Sequence, residues 1–237
     1  MCGIFGIRNL VKGESIDERP IVKSLQSMVH RGPDNLAKKK INDDTILGHV
    51  RLSIIDLDER SNQPFSDESN NYWIVFNGEI FNYVEIKEDL TKLGHKFITT
   101  SDTEVLLRSY IEWGYECVKK FNGMWAFALF DKKNDRVFCS RDRFGIKPFN
   151  YTLFNNKFVF ASEIKAIITM YPELKRPNYN LIANFCRSST GAQIKETWFE
   201  NILRLEPAHN LVIENGSIQI NRYWDYPRSI DKKINFE

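Results

Sequence analysis

The stretch MWAFALFDKKNDRVFCSRDRFGIKPFNYTLFNNKFVFAS, residues 124–162, contains four short β-rich runs joined by polar turns. The runs are MWAFALFD (124–131), RVFCSRD (136–142), FNYTLF (149–154) and KFVFAS (157–162). Strands that follow one another through short turns commonly pair with their neighbours in sequence. The stretch therefore predicts a single antiparallel meander of four strands.

Other β-rich runs lie on both sides of this stretch. They are CGIFGI (2–7), TILGHVRLSIIDL (45–57), YWIVFNGEI (72–80) and NLVIENGSIQINRYW (210–224). The last contains the pair Asn215-Gly216 between alternating residues, which predicts a hairpin turn. Several runs are apolar enough to be covered on both faces, so we expect two sheets packed against each other.

Apolar residues at helical spacing predict helices between these runs. The predicted helices cover residues 20–30, 82–94, 101–114, 162–170 and 179–186. Strands and helices each come in consecutive groups with few βαβ alternations, which is typical of an α+β protein. We therefore predict a four-layer αββα sandwich of two mainly antiparallel sheets with helices outside.

Two of the predicted helices have specific starting signals. Asn82 is a candidate N-cap for a helix whose Val84, Ile86, Leu90 and Leu93 are expected to face the core. Ser101 and Glu104 match the capping-box pattern, in which each side chain binds the backbone N–H of the other residue.

Composition excludes several classes of protein. The 237 residues include 33 Lys plus Arg and 31 Asp plus Glu, a net charge of +2 that argues against a nucleic-acid partner. No apolar run approaches the ~18 residues that a membrane span requires. The four cysteines are widely spaced single thiols, as expected in the cytoplasm, and the four histidines show no metal-ligand spacing.

Two places in the sequence are candidates for chemistry. Removal of Met1 would put a free α-amine on Cys2, and an amine with a pKa of ~7.7–8.0 can accept the thiol proton. The alternative is a cysteine that merely begins a strand. Asn77-Gly78 offers a side-chain amide and an unhindered N–H for an oxyanion hole, or else a hairpin turn.

Eight blocks in order resemble one family. They are MCGIFGI (1–7), HRGPD (30–34), GHVRLSIIDL (48–57), NGEIFNY (77–83), SDTEVLL (101–107), GMWAFALFD (123–131), RDRFGIKP (141–148) and FASEIKAI (160–167). Together they resemble the glutamine amidotransferase domain of glutamine-dependent asparagine synthetases. The resemblance implies an N-terminal nucleophile hydrolase that converts L-glutamine to glutamate and ammonia through a γ-glutamyl thioester.

The resemblance also assigns roles to particular residues. It makes Cys2 both nucleophile and base, and it places the oxyanion hole at Asn77 and Gly78. The implied substrate-binding residues are Arg51 for the α-carboxylate, Glu79 and Asp102 around the α-ammonium, and the backbone at Leu52 and Ile54. HRGPD and RDRFGIKP are expected to shape the pocket or face a partner domain rather than to catalyse.

The resemblance further implies a domain arrangement. Residues 1–225 are expected to form the amidotransferase domain, with Met1 removed in the active form, and 226–237 a cut linker toward a C-terminal synthetase domain. ATP and Mg²⁺ belong to that domain, so this chain is expected to hold no cofactor or metal. The expected partners are L-glutamine and the synthetase domain, with a homodimer as a further option.

The acceptor of the ammonia stays open at this point. The leading expectation is asparagine synthesis from aspartate by the intact protein. The alternatives are amidation of another carboxylate, such as a sugar acid, and a non-catalytic scaffold domain of the same fold.

Overall fold

The computed structural model describes residues 1–188 and 195–226, which form two antiparallel sheets of six strands each with helices on both outer faces. The predicted α+β sandwich is therefore confirmed. Most of the predicted linker, from residue 227 onward, lies outside the described residues. Within the described ranges, none of the helices is long and apolar enough to cross a membrane.

The strands are β1 Gly3–Asn9, β2 Asn35–Asn42, β3 Thr45–Arg51, β4 Phe65–Ser66, β5 Tyr72–Ile80, β6 Gly123–Asp131, β7 Arg136–Arg141, β8 Asn150–Phe154, β9 Lys157–Ala161, β10 Leu203–Arg204, β11 His209–Glu214 and β12 Ser217–Arg222. The β1 sheet has the strand order β10-β8-β9-β1-β3-β2. The β5 sheet has the order β12-β11-β7-β6-β5-β4.

The α-helices are α1 Arg19–Gln26, α2 Tyr83–Lys92, α3 Asp102–Trp113, α4 Cys117–Lys120, α5 Ile164–Met170 and α6 Tyr179–Ser188. Residues of α1 and α5 share one apolar cluster with the outer face of the β1 sheet. Residues of α2, α3 and α4 share another with the outer face of the β5 sheet. A third cluster fills the space between the sheets.

The central strands are buried on both faces, as their apolar runs predict. In β1, Phe5 and Ile7 contact the helix side, whereas Ile4 packs between the sheets. A buried polar contact also crosses between the sheets, where His49 Nε2 of β3 donates to the carbonyl of Phe76 in β5 at 3.1 Å. Burial lowers the pKa of His49 to about 3, so the imidazole stays neutral at physiological pH.

The predicted four-strand meander at residues 124–162 is wrong. Its first two strands, β6 and β7, belong to the β5 sheet, and the next two, β8 and β9, belong to the β1 sheet. The chain therefore passes from one sheet to the other at residues 142–149. Local sequence predicts each hairpin correctly but carries no signal for the sheet in which the hairpin lies.

Two neighbouring side chains hold this crossover loop. Asp142 is fully buried, and its carboxylate accepts hydrogen bonds from the backbone N–H groups of Trp125, Phe144, Ile146 and Lys147. The Arg141 guanidinium donates to the carbonyls of Gly145, Lys147 and Leu205. Because side chains satisfy these backbone groups, the loop needs no neighbouring strand to pair with.

The strand predicted over residues 45–57 is also shorter in the structure, since β3 ends at Arg51. The Asp34 carboxylate accepts the N–H of Ser53 at 2.7 Å, and the Asp34 N–H donates to the Arg51 carbonyl. These contacts stop the ladder and turn residues 52–62 into a loop.

The helix starting signals are confirmed only in part. Ser101 caps α3 by accepting the N–H of Thr103 at 3.1 Å. Glu104 does not complete the capping box, because its carboxylate binds the backbone N–H groups of Ile98 and Thr99 instead. The Glu104 side chain therefore connects the first turn of α3 to residues 98–99 and not to the N-cap residue Ser101.

The start and inner face of α2 also differ from expectation. The side chain of Asn82 makes no cap hydrogen bond and instead binds the backbone at residues 120–122. Ile86 and Leu90 face the core as predicted, but Val84 and Leu93 are 50% and 56% exposed, so the prediction is wrong for those two. The hairpin at Asn215-Gly216 is confirmed, with positive φ at both residues.

Replacing the buried carboxylate in Asp142→Asn is expected to destabilise the fold by about 1.5–3 kcal/mol, because an amide cannot accept all four N–H groups. Chemical denaturation followed by tryptophan fluorescence measures the loss. The matched control is Asp43→Asn, whose side chain is 96% exposed, and we expect it to change stability by less than about 0.5 kcal/mol. Equal losses in the two variants would contradict this account of the crossover.

Candidate active site

One cavity lies where β1 begins, β3 ends and α3 begins, beside the final third of β5. All eight residues that the sequence singles out line it: Cys2, Arg51, Leu52, Ile54, Asn77, Gly78, Glu79 and Asp102. The structure thus brings together residues from four separate parts of the chain. Their individual roles stay predictions.

Cys2 stands at the entrance of β1 with its thiol against the loop that follows β3. The Cys2 thiol donates a hydrogen bond to the Leu52 carbonyl at an Sγ–O distance of 3.6 Å. Its Sγ also accepts the N–H of Leu52 at 3.4 Å. Burial raises the pKa of the Cys2 thiol. The thiol is therefore neutral near pH 7 and requires a base before it can act as a nucleophile.

The HRGPD segment positions Cys2 and its neighbours. Arg31 Nε donates to the Cys2 carbonyl at 2.9 Å, and Arg31 Nη1 lies 3.2 Å from the Glu163 carboxylate. Gly32 leaves room that a side chain would not, because a Cβ there would stand 2.4 Å from the Val50 carbonyl oxygen. The expectation that this segment shapes the pocket agrees with these contacts.

Asn77 and Gly78 lie inside β5, paired with Ala126 and Trp125 of β6, so the hairpin alternative is excluded here. Asn77 is buried, and its Nδ2 has no hydrogen-bond partner within the described part of the chain. A Cβ at Gly78 would lie 2.3 Å from the Met124 carbonyl oxygen, so the strand pairing tolerates only glycine. An unpartnered amide donor in a buried site is available to a substrate oxygen.

Two carboxyl groups lie on another side of the cavity. Asp102 is buried at the start of α3 and accepts the N–H of Ile80 at 3.1 Å. Burial, together with the negative charge of Glu79, raises the pKa of Asp102 to about 6. Two nearby carboxylates of this kind favour the binding of a cation. A positive charge reduces the repulsion between the two negative charges and compensates each carboxylate for the water it has lost on burial.

Arg51 is buried at the end of β3 and also lines the cavity. Its Nη1 donates to the Asp58 carbonyl at 3.0 Å and to Asn62 Oδ1 at 2.7 Å, and its Nη2 donates to the Asp56 carbonyl. The loop at 52–62 therefore fixes the orientation of the guanidinium. Two of its five N–H groups remain for a ligand, enough for bidentate pairing with a carboxylate.

Sequence reasoning missed several residues that line the cavity: Met1, Ile55, Ser61, Gln63, Phe76, Ser101, Thr103 and Lys147. Gln63 accepts the N–H of Phe76 at 2.6 Å and donates to Thr103 Oγ1 at 3.2 Å, which links β5 to α3. Nothing in the local pattern around Gln63 indicates this position. Lys147 had a signal, since it belongs to the RDRFGIKP block.

In residues 1–188 and 195–226, no three His, Cys, Asp or Glu side chains are grouped so that they could hold a metal ion. The site in the described residues consists of a thiol, amide and backbone donors, one buried guanidinium and two carboxyl groups.

The chain is similar to several known proteins. The family of glutamine amidotransferase domains matches residues 1–224. Asparagine synthetase [glutamine-hydrolyzing] 3 of Bacillus subtilis strain 168 is 37% identical over 95% of this chain, and asparagine synthetase [glutamine-hydrolyzing] 1 of the same strain is 41% identical over 74%. The chain spans only 37% and 28% of these two relatives.

A solved structure shows the same fold. Glutamine phosphoribosylpyrophosphate amidotransferase from B. subtilis, complexed with ADP and GMP, matches with a TM-score of 0.66 over 94% of this chain and 49% of that chain. At 19% sequence identity, this similarity concerns the fold alone.

The raised pKa of Asp102 predicts a pH dependence of stability. Between its ordinary value of 3.8 and about 6, the folded state holds a proton that the unfolded state has lost. This group therefore lowers the free energy of unfolding as pH rises through that window, by roughly 3 kcal/mol in total. Asp102→Asn removes the effect, so the variant should gain stability relative to the wild type between pH 4 and pH 7. Denaturation curves at both pH values measure the difference, and a constant difference would contradict the prediction.

Proposed function

Because the chain belongs to the glutamine amidotransferase family, we propose that its cavity hydrolyses the side-chain amide of L-glutamine to L-glutamate and ammonia. The observation that carries the proposal is the unpartnered Nδ2 of Asn77 in the same cavity as the thiol of Cys2. A nucleophile and a buried donor with no protein partner are the two elements that acyl transfer requires.

The two walls of the cavity suit the two charges of an α-amino acid. Arg51 presents a fixed guanidinium to the α-carboxylate, and Asp102 and Glu79 present negative charge to the α-ammonium. Both substrate charges lose water in the cavity, so each requires a charged partner there. This arrangement directs the side-chain amide toward Cys2.

The reaction then proceeds in two halves. The α-amine of Cys2 takes the thiol proton, and Sγ attacks the amide carbon to form a tetrahedral intermediate whose oxygen is held by Asn77 Nδ2 and the Gly78 N–H. The C–N bond breaks, and the departing nitrogen takes the proton from the α-ammonium to leave as ammonia. Water, deprotonated by the α-amine, cleaves the thioester, releases glutamate and restores the thiol.

This mechanism requires removal of Met1. While Met1 is attached, the nitrogen of Cys2 is an amide and cannot act as a base. Met1 also lines the cavity, whose volume of about 70 Å³ is small for an amino-acid substrate. Removal would both create the base and widen the site.

The ammonia is proposed to serve an amide synthesis in a longer protein. The relatives named asparagine synthetase are more than twice as long as the part that this chain matches. We infer that a C-terminal synthetase portion uses the ammonia with ATP and Mg²⁺ to convert aspartate to asparagine, and that the protein works in the cytoplasm. Both ATP and Mg²⁺ would bind to that portion rather than to the cavity described here.

Cys2→Ala is expected to lower glutamate release from L-glutamine on the order of 10³-fold or more, because the variant cannot form the thioester. A coupled assay for glutamate measures the loss, and hydroxylamine should convert the wild-type intermediate to γ-glutamyl hydroxamate. The matched control is Cys186→Ala, a cysteine exposed on α6, which should retain full activity. Undiminished glutamate release by Cys2→Ala would overturn the proposed function.

Trimming of Met1 is expected to switch the activity on. Protein that mass spectrometry shows to retain Met1 should release little glutamate, and treatment with a methionine aminopeptidase should restore release. In the trimmed protein, kcat/KM should rise with pH toward ~7.7–8.0 as the α-amine loses its proton. Equal activity before and after trimming would show that the amine is not the base.

A further inference from the structure

Asp56 occupies an unusual position in the loop at 52–62. Its side chain is only 4% exposed, and its backbone has a positive φ of 51°, a conformation that Asp, Asn and Gly adopt more readily than other residues. It does not line the cavity, yet it contacts Arg51, which does, and Thr100, which directly precedes the lining residues Ser101 and Asp102.

The main chain of Asp56 contacts Arg51, the residue proposed to bind the α-carboxylate of the substrate. Its carbonyl oxygen accepts a hydrogen bond from Arg51 Nη2. Together with the Asp58 carbonyl and Asn62, this oxygen holds the guanidinium in one orientation. Any shift in the backbone at Asp56 therefore shifts the Arg51 head group.

The side chain of Asp56 contacts the turn that leads to Asp102, a residue proposed to bind the α-ammonium of the substrate. Its Oδ2 accepts the N–H of Thr100 at 2.7 Å, and its Oδ1 accepts the N–H of Asp58 at 3.2 Å. Thr100 is followed directly by the cap residue Ser101 and by Asp102. Burial acts to raise the pKa of Asp56, but hydrogen bonds from Thr100, Ser61 and Asp58 hold it at about 2, so the carboxylate is ionised at every working pH.

The hydrogen bonds of the Cys2 thiol do not involve Asp56. Leu52, which contacts the Cys2 thiol, is followed by Ser53, and the Asp34 carboxylate accepts the N–H of Ser53 at 2.7 Å. The first turn of the loop is therefore anchored by HRGPD, whereas the middle of the loop is anchored by Asp56. A change at Asp56 can alter the substrate walls without moving the nucleophile.

We propose that Asp56 is a positioning residue that sets the distance between Arg51 and the Asp102 turn, and so selects a ligand carrying both an α-carboxylate and an α-ammonium. The inference rests on the proposed function. One ionised residue joins the two walls, through its carbonyl on one side and its carboxylate on the other.

The test uses Asp56→Asn and Asp56→Gly in the Met1-trimmed chain. Asparagine keeps the shape of the side chain and tolerates positive φ, but it loses the negative charge and one of the two acceptor oxygens. Glycine also tolerates positive φ but has no side-chain acceptor at all. We expect KM for L-glutamine to rise about tenfold in Asp56→Asn and further in Asp56→Gly, with kcat changed by less than about threefold. The rate of Cys2 alkylation by iodoacetamide should change by less than about threefold in both, because the contacts between the thiol and Leu52 are kept.

A second measurement does not depend on turnover. L-glutamate, the product, should protect Cys2 from iodoacetamide, and the concentration for half-protection should rise about tenfold in Asp56→Asn. The matched controls are Asp135→Asn and Asp135→Gly, because Asp135 also has a positive φ, 48°, and also accepts a hydrogen bond from an arginine, Arg8, but lies in the β6–β7 turn. Both controls should leave KM and protection unchanged.

The outcomes separate the two proposals. Wild-type KM and half-protection in both Asp56 variants would overturn the role of Asp56 and leave the proposed function intact. A parallel loss of alkylation and binding would show a merely structural role and also overturn it. If glutamate protects the wild-type chain but the chain hydrolyses no glutamine, the proposed function is overturned. The change in half-protection between wild type and Asp56→Asn would then test the role of Asp56 without turnover. Failure of glutamate to protect the wild type would overturn the inference.

Discussion

The site depends on the packing of the β1 sheet against the β5 sheet. Cys2 lies at the start of one central strand and Asn77 lies within another, and no local contact along the chain could bring them together. Ile4 and Val75 pack in the same apolar layer between the sheets, and the His49 imidazole donates to the carbonyl of Phe76, next to Asn77. Because interiors are close-packed, this layer fixes the separation of the nucleophile and the amide donor.

Around this layer, side chains hold the loops of the site by hydrogen bonds to backbone groups. Arg31 holds the Cys2 carbonyl, Asp34 holds the N–H of Ser53, and Asp56 holds the N–H of Thr100. Asp142 does the same for the crossover loop that brings Lys147 to the cavity. Charged side chains suit this task, since each accepts or donates several strong hydrogen bonds in a fixed direction.

The sequence predicted the elements better than their partners. Alternation and turn residues located both hairpins of the 124–162 stretch. They indicated neither the sheet that each hairpin joins nor the four N–H groups that Asp142 binds at the crossover. Glu104 matched a capping box and yet binds the N–H groups of Ile98 and Thr99, while the Ser101 N–H that a capping box would use donates to Thr99 Oγ1. Gln63 escaped notice for a similar reason: its role comes from contacts with β5 and α3 that no spacing in the sequence indicates.

By itself, the sequence determined the α+β class and the two-sheet core, because side-chain periodicity is a local property. Residue type singled out Cys2 and Asn77-Gly78 as candidates, whereas Arg51, Glu79 and Asp102 were named only through the resemblance to a family. It left open whether Asn77-Gly78 was a turn or an oxyanion hole and which sheet each hairpin joined. Tertiary structure alone excluded the turn and assigned each hairpin to its sheet, since both depend on contacts between residues far apart in the chain, and the oxyanion role of Asn77 and Gly78 stays a prediction. Three features of the site exist only when the layers pack and bury these residues. They are the amide Nδ2 of Asn77 without a partner in the described residues, the raised pKa of Asp102, and the contacts of Asp56 with both Arg51 and Thr100.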